Sequence, residues 1–237
     1  MTDVLDPAQA LMHAADAARV TSSISDAAQA VRSFIAEYEY GLQEVSTKVE
    51  ILQDQFLLRG GHNPIEHVKT RVKSPESIVD KARRRGVRLE LSAIRQEIRD
   101  IAGMRITCPY VSDAYQVADA LRRQQDLVTL LVKDYIANPK PNGYRSLHLH
   151  VSVPVFLPDQ TIHVPVEVQI RTIALDFWAS TEHELRYKFA GELPPEVSRT
   201  LSDVAATATA LDAQMAQLRD LAFGSEQTPA PEQSPAP

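Results

Sequence analysis

Two long stretches of the chain carry apolar residues at alternating spacings of four and three. The first stretch holds Val31, Ile35, Tyr38, Leu42, Val45, Val49, Leu52 and Phe56, and the second holds Val197, Leu201, Val204, Ala208, Leu211, Met215 and Leu218. Such a repeat predicts long helices, each with one apolar stripe, and Pro194-Pro195 marks the start of the second. Stripes of this kind more often pack within one chain than between chains, but two of them at opposite ends favour a homo-oligomer.

The region between the stripes alternates between helix and strand periods. The pattern predicts helices over 75–85, 111–124 and 172–190, and strands over 103–108, 127–134, 145–155 and 160–170. The short link FLPDQ makes the last two strands an antiparallel hairpin. The order β-α-β-β-β-α indicates an α+β domain: a mixed β-sheet with helices packed on one face and long helices at both termini.

Alternation along the strands assigns side chains to two faces of the sheet. Leu147, Leu149 and Val151 point to the apolar side, as do Val166 and Val168 in the next strand. The polar face is predicted to carry Arg105, Lys133, His148, Glu167 and Gln169, with Asp100 just before the first strand. Two carboxylates among several fixed cations suit a hard divalent ion and phosphate groups, which predicts a magnesium site at Asp100 and Glu167.

Other metal and nucleotide sites have weaker support. His148 and His150 lie on the same strand face, but the single cysteine, Cys108, points inward, and zinc needs three or four ligands. The segment TEHEL (181–185) lacks the second histidine of a zinc protease, and neither a P-loop nor a Gly-x-Ser-x-Gly element occurs.

Composition limits the class of protein. The 237 residues are 44% hydrophobic with a net charge of −6, one cysteine and no apolar run long enough for a membrane span, so we expect a cytoplasmic protein with no membrane partner. Positions 69–105 nevertheless carry eleven Lys or Arg and five Asp or Glu, a local +6 that favours an anionic ligand. We predict an Ala-rich extension over 1–24, weakly helical or disordered, one domain over 25–223 and a disordered Pro-rich tail over 224–237.

The loop in DYIANPKPNGYRSLHLHVSV (134–153) combines Lys140, Asn142 and Tyr144 directly before a strand. It is either a surface hairpin turn or a pocket for an aromatic base that carries phosphates.

Four stretches in this order resemble the small alarmone synthetases, the single-domain members of the RelA/SpoT-homologue family. They are RVKSPESIVDKARR (71–84), DIAGMRI (100–106), KDYIANPKPNGYRSLH (133–148) and VEVQIRTIALDFWASTEH (166–183). The resemblance covers roughly 28–222 and implies a nucleotidyltransferase-like synthetase fold. No His-Asp dipeptide occurs, so it points to a form with a synthetase and no hydrolase.

The resemblance implies an activity: the 3′-hydroxyl of GTP or GDP attacks the β-phosphate of ATP, pyrophosphate is transferred with Mg²⁺, and AMP leaves. It implies ATP contacts from Arg71, Lys73, Ser77, Lys81, Arg84 and Arg105. It implies contacts to the guanosine nucleotide from Lys133, Lys140, Asn142, Tyr144, His148, Gln169 and Asp176. Glu167 and Asp100 are the expected catalytic and metal-binding residues, with Glu167 also a candidate general base. A homotetramer and regulation by an alarmone or single-stranded RNA are further expectations.

Two other functions remain open from the residues. One is a catalytically silent regulator that binds nucleotide or single-stranded RNA on the same fold. The other is a nucleotidyltransferase that transfers AMP and releases pyrophosphate.

Overall fold

The computed structural model describes residues 7–59, 62–189 and 191–224, and within them it has six helices and five strands. The helices are α1 (Pro7–Leu58), α2 (Pro75–Arg85), α3 (Leu91–Glu97), α4 (Val111–Arg122), α5 (Ile173–Lys188) and α6 (Pro195–Phe223). The strands are β1 (His67–Val72), β2 (Ala102–Cys108), β3 (Val128–Asp134), β4 (Leu147–Phe156) and β5 (Thr161–Thr172). None of the helices in these ranges is long and apolar enough to cross a membrane.

The strands form one mixed sheet in the order β1-β2-β5-β4-β3. Strands β2 and β5 are parallel, and the other neighbouring pairs are antiparallel. The α+β fold, the hairpin of β4 and β5 and the long terminal helices confirm the sequence prediction. β1 and α3 are additions that the sequence pattern did not reveal. In β1 most residues are exposed, so the strand HVKTRV carries no continuous apolar face.

Helices α1 and α4 cover the apolar face of the sheet. The side chains of Tyr38, Val45 and Val49 on α1 are buried against it, so most of the first apolar stripe belongs to the chain's own core. Gly41 allows the close approach, because a Cβ atom there would lie 2.5 Å from a methyl carbon of Val164. The sheet is thereby closed on one side, which leaves its polar face for a site.

The edge strand β3 departs from simple alternation. A register shift between Thr129 and Leu131 places Val128 opposite Ser152 but Val132 opposite Leu149. Simple alternation would put Val128, Leu130 and Val132 on one face, but the bulge rotates the strand between Val128 and Val132. Lys133 still lies opposite His148, as predicted.

Helices α5 and α6 form a second, smaller core beside the polar face. Trp178 is buried there with Leu201 and Ala205, and its indole Nε1 donates a 2.7 Å hydrogen bond to the carbonyl oxygen of Leu201. Thr172 caps α5 by accepting from the backbone N–H of Leu175, and its hydroxyl donates to Asp212 on α6.

The predicted terminal extensions are only partly described. From Pro7 onward the N-terminal extension 1–24 belongs to α1, while residues 1–6 and 225–237 lie outside the described residues. The domain boundaries at 24 and 223, and disorder in the tail, stay predictions.

Candidate active site

The polar face of the sheet is organised in two rows across the strands. In one row Arg105 on β2 lies opposite Gln169 on β5, Gln169 opposite His148 on β4, and His148 opposite Lys133 on β3. In the second row Gly103, Glu167 and His150 are neighbours. The shared face predicted from strand alternation is therefore present.

Asp100 lies just before β2 and is held by two lysines. Its Oδ2 accepts a 3.0 Å hydrogen bond from Lys73, at the end of β1, and another from Lys81 on α2. Burial alone would raise the pKa of this carboxyl, but the hydrogen bonds and charges of Lys81 and Lys73 outweigh burial and lower it to about 2. Asp100 is therefore ionised at neutral pH.

Helix α2 is well defined by its sequence. Ser74 caps its N-terminus by accepting from the backbone N–H of Ser77, Pro75 follows at the first position, and Gly86 ends it with a φ of 68°. The cap fixes the helix next to β1, which brings Lys81 to the same carboxylate as Lys73.

Glu167 is the second carboxylate of the face. His148 Nδ1 lies 3.2 Å from its Oε1, Gln169 donates to its Oε2 at 3.0 Å, and His150 Nε2 lies 3.7 Å from Oε1. Burial raises the pKa of Glu167, but His148, Gln169 and His150 together lower it to about 2. Glu167 is also ionised, and it can only accept hydrogen bonds.

The loop between β3 and β4 carries Tyr144 to the edge of the same face. Its phenol oxygen lies 2.8 Å from His148 Nε2 and accepts a 2.9 Å hydrogen bond from Arg171. The Lys140 ammonium lies 4.7 Å from the centre of the Tyr144 ring. Asn142 accepts from the backbone N–H of Tyr144 and so braces the loop.

Gly143 connects this loop to α6. Its φ of 84° is a left-handed conformation that favours glycine, and a Cβ atom would lie 2.5 Å from the Cβ of Ala205. The position of Tyr144 therefore depends on the packing of α6.

These elements enclose a cavity of about 540 Å³. Of the predicted site residues, those that line it are Arg71, Lys73, Asp100, Arg105, Tyr144, Glu167 and Gln169. Those that contact the lining residues or pair with the site strands are Lys81, Lys133, Lys140, Asn142, His148 and Asp176. Ser77 and Arg84 on α2 do not line the cavity.

Asp176 and Gly103 shape one end of the cavity. Asp176 Oδ1 lies 3.3 Å from both Arg105 Nη1 and Arg171 Nη1, so it holds two guanidinium groups. Gly103 lies between Arg71 and Glu167 in the sheet, and a Cβ atom there would meet only the Arg71 carbonyl oxygen, at 3.9 Å. The missing side chain leaves open space on the face beside the two carboxylates.

Four ionisable residues that line the cavity were missing from the predicted site: Lys69, Arg171, Glu182 and His183. Arg171 could have been found, because it follows Gln169 by two positions on the same strand face. Lys69 lies on β1, which was not predicted. The sequence alone placed Glu182 and His183 on a helix surface or in support of site residues, and not in the site itself.

The donor set limits which metals the site could hold. Within the described ranges no three or more His, Cys, Asp and Glu side chains are grouped so that they could hold a metal ion. The two carboxylates would therefore need further ligands from a substrate, which is the usual situation for Mg²⁺ with nucleotide phosphates.

Comparison with known proteins gives a consistent result. A family model described as a region found in RelA/SpoT proteins matches residues 70–192. The GTP pyrophosphokinase YwaC of Bacillus subtilis is 47% identical over 178 residues, which cover 75% of this chain and 85% of the relative.

Solved structures agree. Small alarmone synthetase 2 from Bacillus subtilis superposes with a TM-score of 0.72 at 44% identity, covering 79% of this chain and 96% of that one. Small alarmone synthetase 1 from the same organism, bound to its product pppGpp, gives a TM-score of 0.75 at 37% identity and covers 81% and 97%. The chain therefore belongs to the RelA/SpoT family and has the fold of its small alarmone synthetases.

Proposed function

We propose that the protein is a GTP pyrophosphokinase that transfers pyrophosphate from ATP to the 3′-hydroxyl of GTP or GDP and releases AMP. The observation that carries this proposal is the convergence of Asp100 and Glu167 on one cavity, between the lysines of β1 and α2 and the Tyr144 loop. A relative that is 37% identical binds pppGpp, a product of this reaction.

The ATP side of the cavity is formed by β1, β2 and α2. Lys73 and Lys81 would bind the ATP phosphates, and Arg71 and Arg105 would stack on the adenine, a role that suits planar guanidinium groups. The open space above Gly103, between β1 and β5, supports this placement of the base. Ser77 and Arg84 lie on α2, outside the cavity lining, and would contact the outer phosphates only.

The acceptor side is formed by the loop and β3 to β5. Tyr144 would stack on guanine, a contact worth ~1–3 kcal/mol. For this the exposed Lys140 must leave the ring and contact phosphate, together with Lys133. Gln169 would orient the ribose. The acceptor contacts predicted for Asn142, His148 and Asp176 remain proposals, because all three side chains hold other protein groups.

Magnesium fits the two carboxylates. Both are ionised at neutral pH and line one cavity. When bound, the metal neutralises charge on the transferring phosphoryl groups. Asp100 and Glu167 would hold it, while Lys73 and Lys81 move from Asp100 to the phosphates.

Catalysis in such a site rests on placement and electrostatics. The cations of β1, β2 and α2 fix the donor, the loop fixes the acceptor, and Glu167 lies between them on β5. Glu167 is also the candidate base for the 3′-hydroxyl, a contribution of ~10²–10⁴ in rate.

Partners and location are proposed on narrower grounds. The apolar residues left exposed on α6 support a homo-oligomer, with a tetramer as the expected form. ATP and GTP as substrates, with a free and buried thiol at Cys108, support a cytoplasmic location. Regulation by an alarmone or single-stranded RNA is a further proposal for the same protein.

One assay tests the function. Purified protein is mixed with ATP, GTP and Mg²⁺, and the products are separated by ion-exchange chromatography. We expect AMP and a 3′-pyrophosphorylated guanosine nucleotide, and we expect Glu167→Gln to abolish both. Glu184→Gln, an exposed acid on α5, is the control and should retain activity. Release of free pyrophosphate would identify a nucleotidyltransferase instead, and binding without any product would identify a silent regulator.

A further inference from the structure

Five side chains on the polar face form a closed ring of hydrogen bonds. Glu167 Oε1 contacts His148 Nδ1 at 3.2 Å, and His148 Nε2 contacts the Tyr144 hydroxyl at 2.8 Å. Arg171 Nη2 donates to that hydroxyl at 2.9 Å and to Gln169 Oε1 at 2.7 Å. Gln169 Nε2 returns to Glu167 Oε2 at 3.0 Å. Each carboxylate oxygen of Glu167 therefore receives one branch of the ring.

The chemistry of the groups fixes the direction of every bond except the one between His148 and Tyr144. An ionised carboxylate only accepts, so the Nδ1 atom of His148 must carry its hydrogen. When the ring is neutral, Nε2 accepts from the Tyr144 hydroxyl. The phenol oxygen in turn accepts from Arg171, which has donors and no acceptor. Both branches thus begin at the Arg171 guanidinium and end on the Glu167 carboxylate.

Two members of the ring, Arg171 and His148, are buried. Arg171 is 5% exposed and His148 is 8% exposed, whereas Tyr144 and Glu167 are half-buried and border the cavity. Hydrogen bonds to a charged group contribute more when they are removed from water. The ring therefore connects the Tyr144 hydroxyl to the Glu167 carboxylate through hydrogen bonds that are largely removed from water.

We propose that Tyr144 is a positioning residue as well as a stacking platform: its hydroxyl, acting through His148, holds the Glu167 carboxylate in its working orientation. Both ring nitrogens of His148 are engaged, so this connecting role would replace the acceptor contact predicted for His148. The role rests on the proposed function for its kinetic consequence, although the hydrogen bonds themselves do not. Seating the acceptor base on the Tyr144 ring and orienting the carboxylate would then be linked events.

Tyr144→Phe separates the two roles, because it keeps the ring and removes only the hydroxyl. We expect the KM for GTP to stay within about threefold of the wild-type value, since the stack is retained. We expect kcat to fall about tenfold, the size of effect typical of losing a hydrogen bond in a charged network. A kcat equal to that of wild type would overturn the proposal.

Tyr135→Phe is the matched control. The Tyr135 ring packs edge-on against both Tyr144 and His148, but its hydroxyl makes no hydrogen bond to any described residue. We expect no change in kcat or in either KM. An equal loss in both tyrosine variants would show that packing, and not the hydroxyl, is responsible, and would reject the proposed role.

A double-mutant cycle tests whether the effect passes through His148. The substitution His148→Asn keeps a donor near Glu167, but the shorter side chain cannot reach the Tyr144 hydroxyl. His148→Asn should lower kcat, and adding Tyr144→Phe should lower it no further. Independent losses that multiply in the double variant would mean that Tyr144 acts by another route.

A measurement that does not use activity separates this proposal from the proposed function. In protein with ¹⁵N-labelled histidine, NMR should show His148 with its hydrogen on Nδ1, and Tyr144→Phe should shift the Nε2 resonance. A hydrogen on Nε2, unaffected by the tyrosine change, would refute the ring even in an active enzyme. An inactive wild-type protein with the Nδ1 form would instead refute the function and leave the ring in place.

Discussion

At the scale of single residues, the site shows how two acids stay charged while half-buried. Burial raises the pKa of each carboxyl, and specific partners lower it again. These partners are Lys81 and Lys73 for Asp100, and His148 with Gln169 for Glu167. Each acid is paired with groups of a different kind. Asp100 is neutralised by full charges, whereas Glu167 is held by hydrogen bonds from a ring and an amide. Because the pKa of each acid is lowered in the folded protein, both acids should contribute to stability at neutral pH.

The first prediction concerns acid stability. The pKa of Asp100 is about 2 in the folded protein against an ordinary 3.8. Because the folded pKa is the lower one, the stabilisation is complete above about pH 4 and is lost as the pH falls through about 2. Asp100→Asn should lower the free energy of unfolding at pH 7 by about 2 kcal/mol, and the difference from wild type should shrink below pH 4. Urea unfolding at a series of pH values measures it.

Asp126→Asn provides the control for this prediction. Asp126 also pairs with a lysine, Lys48, but half of its side chain is exposed. A surface ion pair of this kind contributes at most about 1 kcal/mol, so this variant should show little pH-dependent difference. An Asp100→Asn protein as stable as wild type at every pH would contradict the double lysine contact.

At the scale of elements, α6 determines where the acceptor loop lies. Gly143 packs against Ala205, Trp178 bonds to the backbone of α6, and the α5 cap Thr172 bonds to Asp212. Three separate contacts thus connect one helix to the loop and to the helix that follows β5. A substitution within α6 should therefore raise the KM for the guanosine nucleotide more than the KM for ATP.

Gly143→Ala tests this connection. The new methyl group would overlap Ala205 and force a left-handed backbone on alanine. Strain and overpacking together should cost about 2–4 kcal/mol of stability. We expect a clear rise in the KM for GTP and little change in the KM for ATP, as measured by initial rates with each substrate varied in turn.

Two companion variants separate strain from overlap. Gly191 has a φ of 97°, and no atom lies within 4 Å of the place that an alanine methyl group would take, so Gly191→Ala should show the strain alone and leave both KM values unchanged. Adding Ala205→Gly to Gly143→Ala should recover part of the GTP affinity, because the overlap is removed. No recovery would mean that backbone strain alone displaces the loop.

The sequence predicts an element well where its apolar and polar residues repeat with the period of a strand or a helix. β4 and β5 alternate strictly between apolar and other residues, so their two faces, and with them the positions of His148, Glu167 and Gln169, follow from the sequence. β1 is an exposed edge strand with little apolar signal, so the place of Arg71 beside Gly103 emerged only from the folded structure. The bulge in β3 and the contact of Gly143 with Ala205 are tertiary features that no local pattern encodes.

The chemistry of the site was predictable to a similar degree. The residue types of Asp100 and Glu167 suggested a metal and phosphate site, and the sheet brings both to one cavity. The ring through Arg171 was not predictable, because it depends on rotamers of five side chains from two strands and a loop. Sequence can say which groups share a face, but not which of them touch.

At the scale of the whole molecule, charge is concentrated where the substrates would bind. The chain is acidic overall at −6, while positions 69–105 have a surplus of positive charge. This segment supplies β1 and β2, which line the side of the cavity proposed for ATP, and α2 beside them. The opposite sign of the remainder keeps such a protein from binding nucleic acid non-specifically and directs small polyphosphates to one place.

The two apolar stripes differ in how much of their surface is buried within the single chain, and this difference gives the last prediction. The first stripe is largely buried under the sheet, but on α6 the side chains of Leu211, Met215 and Leu218 remain 42–57% exposed at spacings of four and three. A continuous exposed stripe on a long helix is the pattern of a helix that packs against another helix. We expect wild type to be an oligomer and Met215→Lys with Leu218→Lys to dissociate it, because two like charges without partners would have to be buried at the contact. Light scattering coupled to size exclusion measures the mass.

Phe156→Glu controls for a general gain in solubility, since Phe156 is 76% exposed at the end of β4 and lies far from the α6 stripe in sequence. This variant should keep the wild-type mass.

If the α6 double variant also keeps that mass, the stripe is not the contact. The exposed edge of β3 then becomes the better place for a second copy, because its unpaired backbone groups can accept another strand. Since α6 also supports the Tyr144 loop through Ala205, a dissociated protein should show a higher KM for GTP than the oligomer. That coupling would make assembly a condition for acceptor binding and not only for stability.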